Sequence, residues 1–152
     1  MPKQPFDLEN FLPYLLNQAA EATSQAFQAE YRRDYDLSRT QWRVMANLGK
    51  FGAMTATDIC KISHIEKTKV SRAVAALEAR GWLNRRASTE DRRAEILGLT
   101  AAGQSVFADL GERALAYDSD LRASLGGALA RALDLTLRQL VERFPGVAEH
   151  ED

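Results

Sequence analysis

The chain holds a single cysteine, Cys60, so it cannot close a disulfide within itself, and a cytoplasmic home is the default for such a sequence. It has no apolar run near the roughly 18 residues that cross a bilayer. Its opening residues, Met-Pro-Lys-Gln-Pro-Phe-Asp, carry no apolar core of a signal peptide. Histidine is scarce: His64 and His150 are too far apart in sequence to suggest a site, and metal sensing needs clustered ligands. There is no Gly-x-Ser-x-Gly elbow, no phosphate loop and no Gly-x-Gly-x-x-Gly. The acids are scattered among basic partners, with nothing resembling a tuned acid–base pair. An enzyme is not expected, and neither is a cofactor. Net charge is nearly absent as well, −1 over 152 residues that are 45% hydrophobic and 27% charged. That is an ordinary soluble composition, long enough for one domain with a core or a small domain with helical extensions.

The charge that is present is unevenly placed. From Lys61 to Arg93 nine Lys and Arg stand against four acids, so this window carries +5 and the rest of the chain −6. A basic segment inside an acidic chain suits a local anionic partner, although a solvated helix face would show the same count.

Helix punctuation around that window is sharp. Ser38 stands three residues before Gln41, a capping-box pattern, and Gly49 is a plausible left-handed cap after Leu48. Thr55 and Asp58 repeat the signal and open a short helix to about Ile62. After a break at Ser63-His64, Glu66 to Arg80 reads as one helix ended by Gly81, with Val70, Val74 and Leu77 at i, i+4, i+7 and Ala73 in the same stripe. Its other face holds Thr68, Ser71, Arg72 and Ala75. A solvated face would carry more long charged chains, whereas a face that fits closely against something stays short. Trp82–Arg86 and Glu95–Leu99 read as two strands around a polar turn, and Thr100 as the N-cap of the next helix. Long helices flank the centre, about Pro13 to Arg33, Ala101 to Leu121 and Gly127 to Phe144.

The expected fold is mostly α with a small β-hairpin wing: a winged helix-turn-helix at 37–100 between helical flanks at 1–36 and 101–152. The second helix of such a pair can lie in the major groove. Thr68 and Ser71 can exchange hydrogen bonds with base edges, and Arg72 can reach guanine or phosphate. Lys67 and Lys69 suit phosphates. A slim turn bearing Arg92 and Arg93 can enter a narrow minor groove, where negative potential concentrates.

From about Tyr35 to Gly103 the sequence resembles the multiple-antibiotic-resistance regulator (MarR) family of bacterial transcription factors. The resemblance is carried by "YDLSRTQWRVMANL" (35–48), "KTKVSRAVAALEARGWL" (67–83) and "DRRAEILGLTAAG" (91–103). It implies a homodimer joined through its terminal helices, which makes the flanks at 1–36 and 101–152 dimerisation helices, each protomer reading half of a pseudo-palindromic double-stranded operator. In the wing, Asp91 and Arg93 fit the Asp-x-Arg pair that braces the turn, which leaves Arg92 at the tip and Arg86 at the base. The pattern itself leaves the roles of Arg92 and Arg93 interchangeable. Ile96, Leu97 and Leu99 read as packing.

The resemblance also implies a place for a small phenolic or aromatic-acid effector, with Tyr14, Asn17, Trp42, Arg43 and His64 within reach of it. Set beside that is plain core packing, since Trp42, Met45 and Ala46 share a helix face. Cys60 reads as an inert thiol, because the family's peroxide sensors place their cysteine in the first helix and this one has none there. The resulting expectation is a repressor released by an effector. Its rivals are an effector-independent or activating regulator, or a winged helix used as a protein-interaction module.

Overall fold

A computed structural model describes residue 1 and residues 3–146, which leaves His150 outside the described residues. The chain forms two units, Met1–Ser38 and Arg39–Asp152. The first is a 3-10 turn at Leu8–Asn10 followed by one long helix, α1 (Leu12–Tyr35). Pro13 sits in its first turn, where a missing N–H costs nothing. The helix runs two residues beyond Arg33 and closes at Asp36, a left-handed residue (φ 49°) whose N–H donates to the Arg32 carbonyl. Within α1, Phe27 and Tyr31 meet edge to face with centroids 5.7 Å apart.

The second unit opens with α2 (Arg39–Phe51), which starts directly after Ser38. It does not stop at Gly49. The helix continues to Phe51, and the left-handed residue is Gly52 (φ 84°), whose N–H donates to the Leu48 carbonyl. Gly49 is there for space instead, since a Cβ at that position would meet the ring of Phe107. A helix interior and a helix end can each call for glycine, and the sequence does not say which applies.

Thr55 and Asp58 form the expected capping box at the start of α3 (Ala56–Ser63). His64, left-handed at φ 53°, then turns the chain into α4 (Lys67–Ala79). Its apolar stripe of Val70, Ala73, Val74 and Leu77 is buried, together with Val44, Met45 and Leu48 of α2 and Ile59 of α3. At the far end Gly81 N–H donates to Glu78 and Trp82 N–H to Leu77, a Schellman cap. Because Trp82 spends its N–H on that cap, the strand begins one residue later than its sequence suggests.

β1 (Leu83–Ala87) pairs antiparallel with β2 (Glu95–Leu99), Leu83 facing Leu99 and Ala87 facing Glu95. A third, single-residue rung is added by Met54, whose N–H and C=O both bond to Leu97. Thr100 caps α5 (Ala101–Leu125), which ends at Leu125 before Gly126 rather than near Leu121, and α6 (Gly127–Arg143) follows. No helix among the described residues is long and apolar enough to cross a membrane.

Candidate nucleic-acid interface

Burying one stripe of α4 leaves the opposite one in solvent. Lys67, Thr68, Lys69, Ser71, Arg72 and Ala75 are all exposed. The three cations have no ion pair among the described residues, so their charge is unneutralised. The first turn of the helix supplies two of them, and Arg72 lies one turn beyond Thr68 on the same side.

The wing is built by strand alternation. Leu83 and Leu97 point inward and are buried. Arg85 shares their face but is held at the rim, bonded to Glu78 of α4 and Glu95 of β2 at 3.1 Å each. The Glu95 bond foremost raises the Arg85 pKa above its ordinary value. In sequence Arg85 is one more cation of the basic window, yet this arginine is a staple between hairpin and helix. Arg86, on the other face opposite Ile96, is exposed and outside any such pair among the described residues.

Two short side chains fold the turn between the strands. Ser88 Oγ accepts from Glu90 and Asp91 N–H, and its own N–H donates to the Ala94 carbonyl. Asp91 Oδ1 accepts the main-chain N–H of Arg93 at 2.9 Å, and the Asp91 carbonyl takes the Ala94 N–H. The brace between Asp91 and Arg93 therefore runs through the Arg93 backbone N–H. Arg92 and Arg93 are both exposed with no ion pair among the described residues. Ser88 was not singled out in the sequence, although serine at the first position of a turn is a legible signal.

The residues associated with an effector fall into two sets. Tyr14, half-buried, and Asn17, exposed, lie on α1 in the first unit. Trp42, half-buried, Arg43 and His64 are in the second. Arg43 Nη2 donates to the Ser63 carbonyl at 2.6 Å, which brings it to the turn that His64 begins. Partial burial, and then the charge of Arg39, lower the Arg43 pKa. Burial pushes the Cys60 thiol up, away from the thiolate a redox sensor needs. Among the described residues no three His, Cys, Asp or Glu gather where a metal could bind.

A MarR-family model matches residues 35–94. An uncharacterised HTH-type transcriptional regulator of Bacillus subtilis, YwoH, is 28% identical over 112 residues, covering 74% of this chain and 80% of its own. The crystal structure of the MarR family regulator SPO1453 from Silicibacter pomeroyi superposes with a TM-score of 0.79 at 29% identity, over 92% of this chain and 99% of that one. NadR, solved with 4-hydroxyphenylacetate, gives 0.76 at 24% identity over 97% and 100% of the two chains. A mutant MarR from E. coli, solved with operator DNA, gives 0.75 at 18% over 86% and 93%. These last two share the fold.

Proposed function

From the similarity to MarR-family transcriptional regulators we propose that the chain is a member of that family, a homodimeric repressor reading one operator half-site per protomer. The observation that carries the reading is the exposed face of α4, short side chains with unneutralised Lys67, Lys69 and Arg72, beside a wing whose Arg92 and Arg93 are free of ion pairs among the described residues. In this reading Thr68, Ser71 and Arg72 meet base edges, Lys67, Lys69 and Arg86 meet phosphates, and the tip arginines enter the minor groove. With a chromosomal operator, the protein works in the cytoplasm.

The partner is a second copy of the chain. Leu115 of α5 and Leu129, Leu133, Leu137 and Val141 of α6 are exposed, Leu115 and Val141 by more than 70%. So much apolar surface on adjoining helices marks an association face. Light scattering at micromolar concentration is expected to give twice the chain mass, and a stable monomer would end the palindrome argument.

The releasing ligand is a phenolic or aromatic acid. Arg43 supplies a cation and Trp42, its neighbour on α2, an aromatic surface. The bound 4-hydroxyphenylacetate of NadR supports this class.

Enrichment of duplexes from a random pool tests the reading as a whole. Inverted repeats with half-site centres about one helical turn, roughly 10 bp, apart or a multiple of it are expected. A pool that shows no enrichment would favour the protein-interaction module.

The wing makes its own prediction. Arg92→Ala is expected to flatten the salt dependence of binding by about one counterion per protomer with little change in thermal stability. Asp91→Ala is expected to lower stability and binding together, because it releases the Arg93 N–H that holds the turn. Salt-series titrations and melting curves check both. If neither change touches affinity, the wing is structural.

A further inference from the structure

Ser63 is the buried polar side chain of the described residues, and it ends α3, one residue before the left-handed His64 that aims the chain into α4. Its carbonyl and its hydroxyl are both claimed from α2. Arg43 Nη2 donates to the Ser63 carbonyl at 2.6 Å, and Asn47 Nδ2 donates to Ser63 Oγ at 2.7 Å. Arg43 and Asn47 are one turn apart, and the Asn47 amide also donates to the Arg43 carbonyl at 2.7 Å, which fixes its orientation. The guanidinium thus sits at the negative end of α3, on a carbonyl that the helix itself leaves without a partner. The His64 ring also lies close to Gly146, where an added methyl would meet Cε1 at 3.0 Å.

Apolar packing alone does not fix such a turn, because burial is non-directional. α3 is only eight residues long, and Ile59 is its buried apolar anchor. Its last residue receives two directional bonds from α2. We propose that Arg43 and Asn47 are positioning residues: through Ser63 they set the direction in which α4 presents Thr68, Ser71 and Arg72. The proposal rests on α4 being the reading helix. It assigns Arg43 a duty apart from any effector, and an acid drawn to that guanidinium would compete with the Ser63 carbonyl for it.

The test uses the full-length protein and four variants, Asn47→Ala, Ser63→Ala, Arg43→Gln and Arg43→Lys. Amide exchange is followed from Ser63 to Val70. Affinity is measured on a duplex enriched by the wild type and on its scrambled counterpart. Asn47→Ala and Arg43→Gln are expected to speed exchange there about tenfold and to reduce preference for the enriched duplex by a similar factor. Affinity for the scrambled duplex and the salt slope should stay at their wild-type values, because no phosphate contact is lost. Ser63→Ala should shift both readouts in the same direction as Asn47→Ala, and by no more, since it removes the shared bond while leaving the Asn47 bond to the Arg43 carbonyl. Arg43→Lys, whose ammonium still reaches a carbonyl, should recover most of the preference. Unchanged exchange in both Asn47→Ala and Arg43→Gln overturns the proposal, and so does a reduced salt slope in Arg43→Gln, which would make Arg43 a phosphate contact. If the wild type enriches no sequence, the reading of α4 fails, while the exchange measurement still decides whether the turn is held in this way.

Discussion

Replacing Gly103 with alanine is expected to cost about 3 kcal/mol of stability, the upper end of what overpacking does. The first turn of α5 is drawn tightly onto the end of α4. Thr100 N–H donates to the Trp82 carbonyl at 3.0 Å, its hydroxyl donates to the Gly81 carbonyl at 2.6 Å, and its Oγ accepts the Gly103 N–H at 3.1 Å. That approach leaves no room at Gly103, where a Cβ would overlap the Trp82 carbonyl oxygen and touch its carbon at 3.0 Å. The obstacle is main chain, which cannot rotate aside, and moving it would strain both the Schellman cap of α4 and the base of β1. Gly49→Ala should cost less, about 1 kcal/mol, because the obstacle there is the Phe107 side chain, which can tilt. Gln104→Ala, exposed on the same turn as Gly103, should stay within about 0.5 kcal/mol. Denaturant unfolding at one fixed protomer concentration compares the three, since a dimer's stability depends on concentration. Wild-type stability in Gly103→Ala would show that the α4–α5 junction is looser than described.

Local signals in the sequence placed much of this fold. Thr55 with Asp58, Thr100, the stripe Val70–Val74–Leu77 and the pair of strands each declare themselves within a few residues, because capping and periodicity are short-range physics. What escaped depends on contacts made only after folding. Met54 joins the hairpin through one residue, too little for a strand pattern. Arg85 reads as one more wing cation until the hairpin brings it between Glu78 and Glu95. Ser63 reads as a loop serine, and its burial follows from α2 packing behind it. Of the two glycines near the end of α2, the sequence favoured Gly49, yet Gly52 has the left-handed backbone and Gly49 yields its space to Phe107. The polar face of α4 was legible in full, since it is the complement of the buried stripe.

That face carries the second large effect. Arg72 is exposed, one turn past Thr68 and beside Ser71, and no ion pair among the described residues occupies it. Arginine to guanine is a two-bond contact whose loss costs about 1–3 kcal/mol, roughly 5- to 150-fold in affinity. Truncation at Arg72 should leave the fold and the dimer as they are, because its neighbours Ala73 and Val74 carry the packing. The direct measurement is an equilibrium titration of wild type and Arg72→Ala on the enriched duplex and on its scrambled counterpart, repeated across a salt series. Wild-type binding is expected to weaken steeply with salt on both duplexes, as several phosphate contacts require, with a clear preference for the enriched one. Arg72→Ala should lose most of that preference and keep most of the salt-dependent binding to scrambled DNA. A wild type that binds both duplexes equally, or an Arg72→Ala that retains the full preference, would contradict the claim that this face of α4 reads the operator.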